Sequence, residues 1–173
     1  LDGITVYNPS HLGGVFSNFI VDGVKEAELI KGAYNAEYGG RLSAVLNVIS
    51  REGNQKEFKG KANISLLSAQ TTLEGPFYKG AWILSGRRTY FDLVLPKVLP
   101  DNIATNIPPY FFYDVQGHIF SDISSKDRFS LSYYTGIDDI LFDTFGLDGR
   151  WGNNTISGHW RRVFSERLVG NFL

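Results

Sequence analysis

Three histidines, two adjacent aspartates and a double glycine are the residues of this 173-residue chain whose types and spacing could do chemistry. His11, His118 and His159 stand far apart, with no HxxxH or HExxH spacing to set two imidazoles on one face for zinc. The chain has no cysteine, so thiolate ligands and disulfides are excluded as well, and no metal site is expected. Asp138 and Asp139 could act as an acid–base pair, but neighbouring residues point apart, and a solvated loop is the expectation for them. Gly39-Gly40 could suggest a phosphate loop, yet no helix follows to supply the anion-binding N–H groups, so a tight turn is expected. Neither a GxSxG elbow nor a P-loop is present. The expectation is a protein that is not an enzyme and carries no cofactor.

The elements that position these residues read as β. Nineteen glycines and a rich supply of Phe, Tyr and Trp suit a chain of strands and turns. A formal net charge of −1 offers no basic field for nucleic acid. No apolar run approaches the ~18 residues of a transmembrane helix. A strand end at residues 4–7, a Gly- and Ser-rich loop at 8–19, a strand at 24–31, one helical turn at 33–38 and a doubly buried strand at 42–50 make up the expected first part, residues 1–54. From Phe58 onward polar and apolar residues alternate, as in Lys61, Asn63 and Ser65 against Ala62, Ile64 and Leu66. The second part, residues 55–173, is expected to hold about seven antiparallel strands. Short turns are expected at 77–80, 122–127 and 164–166, and longer loops at 93–108 and 137–150.

Strands of roughly 10–13 residues with alternating connection lengths fit a tilted crossing of an apolar band about 25 Å tall. Phe77, Tyr78, Tyr90, Phe91, Tyr110, Phe120, Trp151 and Phe164 fall near strand ends, where interfacial girdles belong. The expected fold class is therefore mainly β: an α+β remnant followed by antiparallel transmembrane β-barrel strands. Open strand edges cost several kcal/mol per unpaired group in hydrocarbon, so seven strands are expected to be an incomplete barrel. An opening at Leu1-Asp2-Gly3 without any Met points the same way, to a fragment.

The segment around 24–53 is the most specific. It has Glu28, Lys31 and Gly32, then small residues, Tyr38, Gly39 and Gly40, and an aliphatic run at 45–49. This order resembles the second half of the plug domain of TonB-dependent outer-membrane receptors. The variant GAYNAEYGGRLSAVLNV, with SGRRTYFD and YFFYDVQGHIF, is similar to the Bacteroidetes-type branch. Ala33 stands where many members have Pro, and Glu37-Tyr38-Gly39-Gly40-Arg41 replaces the commoner Leu-Tyr-Gly. The resemblance implies a Gram-negative outer-membrane barrel that imports a scarce ligand by energy-coupled plug movement. Siderophore, cobalamin, oligosaccharide and peptide ligands all use this scaffold. It implies as partners the TonB energy-transducing complex, outer-membrane lipid and, in this branch, a surface lipoprotein. Related receptors present ligand contacts in the loop corresponding to 7–11, which makes Tyr7, Asn8 and His11 candidates. Asp101, Asn102, Asp138 and Asp139 are secondary candidates from the two longer loops. Glu37 and Arg41 on the plug, with Lys61 and Glu74 on the wall, are expected to take part in plug–wall ion pairing. Arg87 and Arg88 fall on opposite faces of one strand, so one must sit near an interface. The rival readings are a passive porin, which needs no leading α/β element, and a soluble β-sandwich binding or adhesion module.

Overall fold

A computed structural model describes residues 1–32, 38–40, 44–104, 108–142 and 147–173, with the backbone alone for Asp101, Ala104, Phe142 and Leu147. The chain is mainly β. Its first part is a polar-bonded cap made of two small antiparallel pairs. β1 (Ser10–His11) pairs with β2 (Phe16–Ser17) across a 3-10 turn at Leu12–Gly14. A second 3-10 turn, Val21–Gly23, leads into β3 (Val24–Ile30), which pairs with β4 (Val45–Ser50). The Asp2 carboxylate holds the β4 end by accepting from the Ser50 N–H at 2.9 Å and the Ser50 hydroxyl at 2.7 Å.

Seven further strands form one meander, each pairing antiparallel with its neighbour in sequence. They are β5 (Lys59–Ile64), β6 (Ser68–Phe77), β7 (Gly80–Thr89), β8 (Tyr110–Asp122), β9 (Asp127–Phe142), β10 (Leu147–Ser165) and β11 (Leu168–Phe172). Side-chain hydroxyls set the short turns: Ser124 Oγ accepts the N–H groups of Lys126 and Asp127, and Ser65 Oγ those of Leu67 and Ser68. Gly53 (φ 84°) carries the chain from the cap into the sheet. A Cβ there would lie 2.3 Å from the Trp82 carbonyl oxygen, so the crossing needs glycine for both its backbone angle and its closeness to β7.

Several expectations are overturned. No strand forms among residues 4–7, and β4 pairs with β3 alone, with Val48 and Ser50 covered while Leu46 and Ile49 are exposed. The helical turn at 33–38 falls outside the described residues except for Tyr38. The loop at 93–108 contains α1 (Phe91–Val98) and α2 (Asp101–Ala104). The loop at 137–150 is mostly strand, because β9 runs on to Phe142 and β10 starts at Leu147, with Gly149 opposite Ile140 and Gly152 opposite Ile137. Glycines there allow close strand packing, since a Cβ on Gly152 would meet the Gly136 carbonyl at 2.0 Å. Tyr110 and Phe120 lie near the ends of β8 as expected, but they are buried on its covered face and not on the bare face where a girdle would sit.

The two faces of the sheet differ: the covered face buries polar side chains among Ala81, Ile83, Tyr110, Phe112, Phe120 and Tyr134, while the middle of the bare face is apolar and exposed. Ser85, Asp114, Gln116, Ser132 and Ser157 are 8% exposed or less and share the face turned to the cap. Their alternating partners Leu84, Phe129, Leu131, Tyr133 and Ile156 are 37–64% exposed on the other face. Soluble sheets normally bury the apolar face and solvate the polar one.

Candidate functional site

The densest chemistry lies where the cap meets the polar face. β1 delivers His11 between two carboxylates. Its Nδ1 lies 2.8 Å from Asp138 Oδ2 on β9, and its Nε2 lies 2.7 Å from Asp114 Oδ1 on β8. The register sets Asp114 beside Arg87 of β7 and places Asp138 opposite Phe112. Arg87 Nε donates to Asp114 Oδ2 at 2.9 Å, and its Nη2 donates to the Ser17 carbonyl of β2. Tyr134 donates to Asp114 at 3.0 Å, while Tyr110 donates to Asp138 and accepts the Leu12 N–H. The His11 ring stacks on Phe112 at 4.0 Å between centroids.

Two cations therefore face two carboxylates, all but Arg87 essentially free of solvent. Carboxylates only accept, so the imidazole satisfies both of them as a doubly protonated ring. Burial by itself lowers the His11 pKa, but the hydrogen bonds and charges of Asp114, then Asp138, outweigh it and leave it above the ordinary 6.5.

Further bonds tie the cap to the sheet along its width. Asp22, at the second 3-10 turn, takes Lys61 Nζ and Gln70 Nε2 at 2.7 Å each; the Lys61 bond holds its carboxyl below the ordinary range against the opposing effect of burial. Arg51 pairs with Glu74 at 3.0 Å, and Glu52 with Arg128 at 3.2 Å. Asn153 of β10 donates to the Asn8 carbonyl at 2.9 Å and accepts the Tyr7 N–H at 3.1 Å.

The chain matches no protein-family model, no curated protein and no solved structure in the comparisons made.

The structure brings His11 and Asp138 into direct contact and sets Tyr7 and Asn8 against Asn153 through their backbones. The Tyr7 side chain is exposed. Asp138 is the main correction: it lies on the covered face of β9, 1% exposed, not in a solvated loop, because the long strand and the incoming histidine enclose it. Asp139 occupies the opposite face of β9, and Asn102 is exposed on α2. Asp101 begins α2, and its side chain lies outside the described residues. Glu28 is on β3, with Lys31 and Gly32 (φ 90°) just beyond it, and Gly40 (φ 73°) follows Tyr38 and Gly39. Lys61 and Glu74 meet Asp22 and Arg51; Glu37 and Arg41 lie outside the described residues. Arg88 shares the face of Trp82 and Leu84, bonds Asp92 at 2.9 Å and covers the Phe111 ring.

Asp114, Tyr134, Asn153, Asp22 and Arg51 were not singled out from the sequence, and Arg87 was noted only as a charge to be placed on its strand. The available signal was alternation: Phe112, Asp114 and Gln116 against Tyr113, Val115 and Gly117 puts a charge on one face of an otherwise apolar-edged strand.

Proposed function

We propose that this chain is part of a TonB-dependent outer-membrane receptor, with residues 1–54 ending its plug and 55–173 forming strands of its barrel. The observation that carries this reading is the bare apolar face of the sheet, which lies opposite a covered face whose polar groups are bonded to the cap. Water would penalise such an exposed apolar face, whereas hydrocarbon accepts it. The resemblance of residues 24–53 to a plug end supports the same reading. The cap then seals the pore through the His11 junction and the ion pairs of Asp22, Arg51 and Glu52. Import of a scarce ligand follows when energy from the inner membrane displaces that cap. On this reading the free edges along β5 and β11 are paired by other strands of the barrel, since unpaired edges are costly in lipid.

The reading is tested with the intact protein in planar bilayers. Expected are negligible basal conductance and a stable open pore once residues 8–23 are deleted, with ligand uptake by cells lost when the proton gradient is collapsed. A wild-type pore that is always open indicates a porin. Extraction without detergent indicates a soluble module. Either result overturns the proposal.

A further inference from the structure

Below the His11 junction, toward the short-turn ends of β8, β9 and β10, the cap and the sheet part. Near the other end β9 fills the interior with Tyr134 and Asp138; here the same face carries Ser130 and Ser132, and β10 carries Ser157. Side chains this small cannot reach the β3–β4 pair. A half-open cavity of about 570 Å³ remains between them, within the roughly 300–1,000 Å³ typical of small-molecule sites.

The groups on its wall are unevenly satisfied. Its acids already have partners: Asp2 accepts from the Ser50 N–H and hydroxyl, and Glu52 from Arg128. Ser132 is bonded to His118 at 2.8 Å. Lys25 from the cap, with His159 and Arg161 from β10, also line the cavity. None of these three side chains has a hydrogen-bond or ion-pair partner among the described residues, and neither do the hydroxyls of Ser130 and Ser157. What the cavity offers unmatched is therefore positive charge from two opposed walls, with hydroxyl groups between. A planar guanidinium and an ammonium on the wall of one cavity suit an oxyanion, whose oxygens accept from both.

We propose that this cavity binds a small hydroxylated oxyanion, a sugar-sized solute bearing a carboxylate or phosphate, held by Lys25 and Arg161 with Ser130 and Ser157 on its hydroxyls. It rests on the import reading, in which it is a station on the short-turn side that the solute meets after the outer loops. It is separate from the His11 junction, which is filled by its own side chains.

The test is equilibrium dialysis of the intact protein in detergent with labelled glucose 6-phosphate, and with glucose as the neutral comparison. Saturable binding of the phosphate ester is expected, with glucose held at least about tenfold more weakly. Arg161→Gln and Lys25→Gln should each weaken binding about tenfold, the scale of losing one charged hydrogen bond. Glu52→Gln, which takes a negative charge off the cavity wall and leaves Arg128 paired with Asp122, should tighten it. Both cationic side chains are exposed and unpartnered, so their variants fold as the wild type does; circular dichroism checks this, and either variant suffices. No saturable binding of the ester, equal binding of glucose, or binding unchanged in the folded variants overturns the proposal. The assay needs neither a membrane potential nor TonB, so its failure leaves the import reading standing, whereas failure of the conductance test removes both.

Discussion

At the scale of single residues, His11 is where sequence and structure meet most informatively. A histidine bonded at both nitrogens to buried carboxylates gives Asp138 its charged partner and shares Asp114 with Arg87. Replacing it with Phe keeps a flat ring to stack on Phe112 but leaves Asp138 with the Tyr110 hydroxyl and no charged partner among the described residues, and Asp114 with Arg87 and the Tyr134 hydroxyl. His11→Phe is therefore expected to weaken seating of the cap by about 3–5 kcal/mol, the usual cost of breaking a buried pair from one side. Limited proteolysis of the intact protein should show residues 1–54 released far faster in the variant; equal protection would rule the junction out as a lock. The pH dependence has a definite sign. The folded-state pKa of His11 lies above its ordinary value, so its stabilisation is complete below about pH 6.5 and declines as pH rises through the raised value. The wild type should accordingly lose cap protection on going from pH 6 to pH 9, while His11→Phe shows a smaller change over that range. His11 itself was visible in the sequence as one of three histidines, and its neighbour Asp138 as half of an acidic pair. Their contact was not, because 127 residues separate them and only the docking of β1 on β9 brings them together.

At the scale of elements, alternation made the meander legible. Lys61 and Asn63 against Ala62 and Ile64, and Phe129, Leu131 and Tyr133 on one face, are period-two signals that the register reproduces, while Ser65 and Leu66 fall in the turn that ends β5. Two stretches misled for physical reasons. Phe91, Val94, Leu95 and Val98 follow a helical spacing, but Pro96 and Pro100 read as breakers and concealed α1 and α2. Residues 137–150 look loop-like because Asp138 and Asp139 stand together and Gly149 and Gly152 break the β10 pattern, yet these residues pair as strand with Asp138 turned inward and Asp139 outward. Glycine matters in a different way at the joint between the parts. Gly53→Ala combines a left-handed backbone with a contact to the Trp82 carbonyl that no Cβ can keep. The backbone angle alone costs about 1–3 kcal/mol. The variant should lower the thermal midpoint in detergent and loosen the cap, whereas Gly158→Ala, where nothing lies within 4 Å of the added carbon, should change neither. Equal midpoints for both variants would show that the crossing at residue 53 has slack.

At the scale of the whole molecule, the bare apolar face of the sheet makes lipid and water predict opposite signs for one substitution. Leu131 lies on the bare face of β9, 45% exposed, and Ser132, its neighbour, lies on the covered face. If the bare face meets hydrocarbon, Leu131→Arg carries a charge into the apolar band and costs about 2–4 kcal/mol near mid-depth. Assembly into the outer membrane should then fall sharply, with heat-modifiable folded protein largely lost. If the same face meets water, an arginine there removes an exposed leucine and should leave folding intact or raise solubility. Ser157→Asn serves as the matched control, because it adds polar bulk on the covered face beside the half-open cavity, where either setting tolerates it. Quantifying folded protein in membrane fractions for the two variants separates the possibilities in one experiment: loss with Leu131→Arg alone supports a wall in lipid. Unimpaired Leu131→Arg means that the apolar face is covered by something other than a bilayer, and the receptor reading then loses the observation that carries it.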